Sequence, residues 1–192
     1  MAAAGSPHPP CVVVMGVSGV GKSTVARLLA GRLGVELGDA DDLHPAANIA
    51  KMSAGTPLDD ADRRPWLEAI GRWLHERDGV GSVVACSALK RSHRDVLRSA
   101  CPGVLFLQLT ADRDVLADRI GHRTRHFMPA SLLDSQLAAL EPLGPDEHGV
   151  VVDASPAPEQ IARTAAELLT RRSVGTPAAR EIPYRVMRKG RP

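Results

Sequence analysis

The chain has 192 residues, 44% of them hydrophobic and 24% charged, which suits one globular domain with a real core. Aromatic residues make up only 3%, which argues against a base-stacking platform for single-stranded nucleic acid and leaves the core to Leu, Val, Ala and Ile. The net charge of +2 is uneven: residues 171–192 hold seven basic side chains against Glu181 alone, leaving 17 basic and 21 acidic residues elsewhere, so the body has no claim to nucleic acid on charge.

No apolar run approaches the length of a membrane span, and residues 1–10 lack the basic start and apolar stretch of a secretion signal. A cytoplasmic protein with no membrane partner is expected. Cys11, Cys86 and Cys101 are odd in number and form no C-x-x-C pair, which favours reduced thiols over disulfides or a zinc site.

Residues 1–10 are small and Pro-rich and are expected to be disordered. Cys11 to Met15 then reads as a strand buried on both faces. It runs into Gly16-Val17-Ser18-Gly19-Val20-Gly21-Lys22-Ser23, the spacing of a phosphate-binding loop. The glycines let backbone N–H groups curl around an anion, and the following helix adds its own unpaired N–H groups and positive dipole end. Val25, Leu28, Leu29 and Leu33 give that helix an apolar face, and Gly34 is placed to cap it. Gly16, Ser18, Gly19, Val20, Gly21, Lys22, Ser23 and Thr24 are therefore the nucleotide-binding candidates. Lys22 reaches the outer phosphates, and the Ser23 hydroxyl can ligate Mg2+.

Val35 to Gly38 is a second short strand, followed by the acidic run Asp39-Ala40-Asp41-Asp42. Pro45 opens a helical segment through Lys51, broken by Gly55-Thr56-Pro57, and Asp59 or Asp60 caps a longer helix through Trp66, Ile70 and Leu74. Val83 to Cys86 is a third buried strand, and a helix from about Leu89 to Ser99 places Lys90, Arg91 and Arg94 near its start. Val104 to Leu109 is the fourth strand, and Asp112 caps a helix through Ile120. A break rich in basic residues, Gly121 to Pro129, precedes a helix from about Ala130 to Leu140. Val150 to Val152 is the fifth strand and Pro158 to Thr170 the last helix.

Strands alternating with helices predict a three-layer α/β sandwich around a five-stranded, mostly parallel sheet. Ligands in such sheets lie beyond the carboxyl ends of the strands, where Gly16, Asp39 to Asp42, Ser87 to Lys90, Thr110 to Arg113 and Asp153 all fall. Phosphoryl transfer needs a cradle, a metal, a base and cations. In an extended strand end Asp39 and Asp41 point to one side, so one can support Mg2+ while the other takes a proton from the acceptor hydroxyl. His44, Asn48, Lys51 and Arg63 offer polar contacts for a polyhydroxylated acid, and Ser87 and Lys90 begin a helix where an anion is welcome. Arg119, Arg123, Arg125 and His126 have the look of a lid, spanning about residues 119–136, that closes cations over phosphate.

Several stretches together resemble gluconate kinase (gluconokinase): Met15-Gly-Val-Ser-Gly-Val-Gly-Lys-Ser23, Asp39-Ala-Asp-Asp-Leu-His-Pro45 with Asn48 and Lys51-Met52, Asp62-Arg-Arg-Pro-Trp66, Cys86-Ser-Ala-Leu-Lys90, and Arg123 with His126-Phe127. The resemblance covers about residues 11–170. It implies a P-loop fold of the nucleoside-kinase and shikimate-kinase type, and transfer of the terminal phosphoryl group of ATP, with Mg2+, to the 6-hydroxyl of D-gluconate. It also implies Asp41 as base, Arg119 as a lid residue on the nucleotide side and, as often in that family, a homodimer. Domain organisation follows as a disordered start (1–10), a kinase domain (11–172) and a basic, flexible tail (173–192). The loop by itself leaves open a kinase for shikimate or a different sugar acid. A GTP-dependent switch is disfavoured because the only asparagine, Asn48, is followed by Ile49 and cannot form an Asn-Lys-x-Asp stretch.

Overall fold

The computed structural model describes residues 8–122 and 130–173. β1 (Cys11–Met15) leads through the Gly-rich loop into α1 (Lys22–Leu33), and β2 (Glu36–Asp39) runs into a short 3-10 turn (Ala40–Leu43) and α2 (Ala46–Ser53). The chain continues as α3 (Asp60–His75), β3 (Ser82–Ala85), α4 (Arg91–Ala100), β4 (Leu105–Thr110), α5 (Arg113–Gly121), α6 (Ala130–Ala139), β5 (Gly149–Asp153) and α7 (Pro158–Ser173). The five strands all pair in parallel in the order β2-β3-β1-β4-β5, which puts β1 at the centre.

The central strand shows how the sequence builds the layers. Side chains alternate across a strand, and Val12 and Val14 join a core with Val25 and Leu29 of α1 and Ile161 and Leu169 of α7. Cys11, Val13 and Met15 join the opposite core with Trp66, Ile70 and Leu74 of α3 and Leu97 of α4. With both faces covered, no position of β1 is left for a polar side chain, and each fully buried Val or Leu contributes about 1.5–3 kcal/mol of transfer free energy. Helix ends follow local chemistry. Gly34 takes φ +67° and donates its N–H to Ala30 at the end of α1. Asp59, not Asp60, caps α3, exchanging hydrogen bonds with Asp62 in a capping box.

β2 is an edge strand with Leu37 exposed, because only β3 pairs with it. Two local expectations are corrected. The chain does not stay extended through Asp41: it turns at Ala40, and Asp39 Oδ1 accepts the N–H of Asp41 at 3.1 Å. The same-side argument for the two carboxylates therefore fails, and Asp39 is a cap as well as a candidate ligand. Ser87 lies in a connection before α4, which begins only at Arg91 with Lys90 as its N-cap residue. In that connection Ala88 holds φ +38°, a strained value for a residue with a Cβ.

Candidate active site

The loop after β1 is a preformed anion cradle. Gly19 sits at φ +84°, and a Cβ there would stand 2.8 Å from Cγ1 of Ile120. Gly16 sits at φ +137°, where a Cβ would meet the Leu109 carbonyl at 2.7 Å. Both positions exclude a side chain by conformation and by space. Gly21 is the N-cap of α1 and no side chain caps that helix start, so its first-turn amides face the loop. Lys22 Nζ donates to Val17 O at 3.0 Å, folded back along the loop, while Ser23 and Thr24 are exposed in the first turn. This donor set, backbone amides with an ammonium and a hydroxyl, fits the phosphates of a nucleotide and their Mg2+.

Beside the loop a cavity of about 270 Å³ opens between α1, α5 and the β5–α7 connection, lined by Gly19, Gly21, Thr24, Arg119, Ala154 and Pro156 among others. Arg119 Nη2 donates to Ala154 O at 2.8 Å across it. Ser18 N–H donates to Oε1 of Gln136 at 2.7 Å, so α6 reaches the mouth of the loop.

The candidate acceptor side is built from the 3-10 turn, α2, α3 and the β3–α4 connection. His44 stacks on Trp66 with ring centroids 4.4 Å apart, and Trp66 Nε1 donates to Ala40 O at 2.6 Å, which fixes the turn carrying Asp41. Burial holds His44 below its ordinary pKa, with Arg63 adding to the shift and Asp41 opposing it, so the ring is neutral at pH 7. Asn48 is buried and donates to Asp62 O at 2.8 Å. Lys51 pairs with Asp62 at 2.6 Å, which ties α2 to α3 and takes up its charge. Lys90 and Arg63 converge on Asp60, at 2.6 and 3.7 Å, with His93 at 3.3 Å. The hydrogen bond from Lys90, then that from His93, keeps the Asp60 carboxyl below its usual range.

Cys86, directly after β3, is a buried thiol pushed up to about 12 chiefly by burial. The two sides meet at the next residue, where Gly16 donates its N–H to Ser87 O at 3.3 Å. The phosphate loop and the acceptor-side connection are thus hydrogen-bonded neighbours.

The shikimate kinase family model matches residues 18–170. A gluconokinase of Gluconobacter oxydans is 50% identical over 155 residues, covering 80% of this chain and 87% of that one. The chain belongs to the gluconokinase family. A thermosensitive gluconokinase of Escherichia coli is 45% identical over 142 residues, 72% of this chain and 75% of its own. The crystal structure of a gluconokinase from Sinorhizobium meliloti superposes with a TM-score of 0.78 at 49% identity, covering 85% of this chain and 93% of that one.

Among the candidate residues, Gly16 to Thr24 form the loop and the first turn of α1, Arg119 lines the cavity beside that loop, and Asp39, Asp41, His44, Arg63, Ser87 and Lys90 lie on the turn, helix and connection that follow β2 and β3. Asn48 Nδ2 lies 3.5 Å from His44 Nδ1, whereas Lys51 is tied to Asp62. Arg123, Arg125 and His126 lie outside the described residues, as does most of the basic tail. Sequence reasoning missed the wall made by Ala154 and Pro156; its signal was Asp153 at the end of β5, followed by Ala-Ser-Pro. It also missed Gln136, which no motif marks, and saw in Arg94 only a basic residue near a helix start. That side chain is fully buried and paired with Glu147 at 2.6 Å. Burial alone would raise Glu147, but hydrogen bonds from Arg94 and the Gly144 N–H hold it below its ordinary value.

Proposed function

We propose that this chain transfers the γ-phosphoryl group of ATP to the 6-hydroxyl of D-gluconate, giving 6-phosphogluconate and ADP. The observation that carries the reading is the join between the phosphate loop and the connection after β3, where Gly16 donates to Ser87 O, next to the Asp41 turn held by Trp66 and the Arg63 and Lys90 cations that converge on Asp60. It provides, in order, a cation for the transferring phosphoryl group, a carboxylate for the acceptor hydroxyl and two cations for a carboxylate at the far end of the substrate. The amides of Gly19 to Ser23 hold the phosphates, and Arg119 flanks the cavity that takes the nucleoside. Ser23 and, through water, Asp39 would hold Mg2+, which when bound neutralises the phosphate charge. Asp41 accepts the proton as the hydroxyl oxygen attacks phosphorus and the β–γ bridging bond breaks toward ADP. The 3-10 turn keeps Asp41 in place through the Trp66–Ala40 hydrogen bond. The homodimer expected from the family belongs to the same reading, and light scattering of the full chain tests it.

The test is ADP release from MgATP across sugar acids, neutral aldoses and shikimate, followed by kinetics of Arg63→Ala and Lys90→Ala. A charge-assisted contact to a carboxylate is worth about 1.5–3 kcal/mol, and the lower end applies because Asp60 already takes part of the charge. Each variant should therefore raise KM for gluconate by about tenfold while leaving KM for ATP nearly unchanged. Turnover of glucose as fast as gluconate, or unchanged KM in both variants, refutes the reading. The match to the shikimate kinase model makes shikimate the second candidate acceptor, and preference for it in the same panel would decide for that reading.

A further inference from the structure

The end of the sheet opposite the phosphate loop carries chemistry that phosphoryl transfer does not use. Cys11 opens β1, Asp78 lies in the turn after α3, and Cys101 is the C-cap residue of α4. The two sulfurs and a carboxylate oxygen of Asp78 all lie within 4.8 Å of one another. Cys101 is 0% and Cys11 4% exposed, both as free thiols, while Asp78 is on the surface. A second, independent feature points to the same spot. Ser82 pairs with Cys11 across the β1–β3 ladder, so its side chain leaves the sheet on the same face. Its hydroxyl is buried, has no partner of full hydrogen-bond geometry among the described residues, and lies close to the Cys11 thiol. A buried hydroxyl without a full partner is destabilising unless something at the site uses it.

We propose that Cys11, Cys101 and Asp78 form a binding site for a thiophilic divalent cation of the Zn2+ type, remote from the phosphate loop. Two thiolates and one carboxylate are a soft, anionic ligand set that suits Zn2+ rather than Mg2+. In a tetrahedral site with Zn–S bonds of about 2.3 Å the sulfurs stand about 3.8 Å apart, so side chains already within 4.8 Å need only close by about an ångström. A disulfide would need the sulfurs at about 2.0 Å and would leave both Asp78 and Ser82 without a role. Water completes the coordination, and the Ser82 hydroxyl supports a ligand from the second layer. Giving up the Cys11 proton orphans nothing. Its thiol lies 3.5 Å from the Leu74 and Arg77 carbonyls, and these already accept from the amides of Arg77, Val80 and Gly81. Asp78 provides the entry, since an ion arriving from solvent meets its carboxylate before the buried sulfurs. Once bound, the ion ties the start of the central strand to the α3–β3 turn and to the end of α4.

The test uses the full chain, reduced and stripped of metal, titrated with Co2+ and then Zn2+ alone. One Co2+ per chain should bind with a thiolate-to-cobalt absorption band, and Zn2+ should displace it. At a hundredfold excess over Kd the Tm should rise by about 5–10 °C. Cys101→Ala should abolish the band and the Tm rise. Asp78→Asn changes only an exposed side chain, so folding is not at risk, and it should weaken Zn2+ binding by more than tenfold while leaving the metal-free Tm unchanged. The proposal is overturned if no band appears, if binding survives in a Cys11→Ser/Cys101→Ala double variant, or if the two thiols pair as a disulfide under conditions in which added Zn2+ does not protect them.

Discussion

Arg94→Met probes the most heavily hydrogen-bonded side chain among the described residues. The guanidinium donates to both oxygens of Glu147 at 2.6 and 2.8 Å, and to the carbonyls of Leu89, Glu141, Pro142 and Ala88 at 3.1–3.4 Å. Both partners of the pair are 0% exposed. Methionine keeps the length and apolar character but strands Glu147 as a buried, unpaired charge, a change that typically costs about 3–5 kcal/mol. Proton uptake limits the loss. Neutralising a carboxyl of ordinary pKa 4.5 at pH 7 costs about 3.4 kcal/mol, so the penalty should settle near 3 kcal/mol there. For a chain of this length that is a Tm drop of about 6–12 °C. The sign of the pH dependence is diagnostic. In the parent chain Glu147 is held below 4.5, so its contribution is complete above that value and is lost as the pH falls through the lower, folded pKa. In the variant its pKa is raised, and the deficit should shrink steadily from pH 7 toward pH 4.5. Urea melts of both chains at several pH values measure this. Loss of less than about 1 kcal/mol at pH 7, or a loss independent of pH, refutes the reasoning. An Arg94→Met/Glu147→Leu double variant should recover to within about 1 kcal/mol of the parent, since the cost lies in breaking the pair rather than lacking it.

Lys22→Met should remove most turnover with a cooperative melt at the parent temperature, because it deletes a charge contact in the transition state and leaves the loop glycines intact; near-normal kcat would sink the phosphate-loop assignment. Asp41→Asn should lower kcat by about a hundredfold or more with little change in KM for ATP. Asp39→Asn should act chiefly through Mg2+ dependence, and the reverse pattern would exchange the two roles. Gly19→Ala forces a Cβ to within 2.8 Å of Ile120 at φ +84°, and should raise KM for ATP more than tenfold while leaving KM for gluconate within about threefold. An unchanged KM for ATP would show that the cradle tolerates a side chain.

Local rules make much of this molecule legible in its sequence. Cys11 to Met15 announces a strand covered on both faces, Gly16 to Ser23 a phosphate loop, Gly34 a helix end, and the alternation of strands and helices a parallel sheet whose rim collects Asp39, Asp41, Ser87 and Lys90. These signals are short-ranged. A glycine with positive φ, a capping carboxylate or a period of two or 3.6 is settled by residues a few positions away. What only the tertiary structure decided depends on which helix covers which face. Arg94 reads as one more cation on an amphipathic helix, and becomes a buried anchor only because Glu147, 53 residues on, is folded over it. Gln136 reaches Ser18 across 118 residues, and Cys11 and Cys101 share no motif until β1 and α4 pack side by side. Even the acidic run was readable in composition but not in direction, because the hydrogen bond from Trp66 to Ala40 comes from another helix and helps fix the turn that carries Asp41.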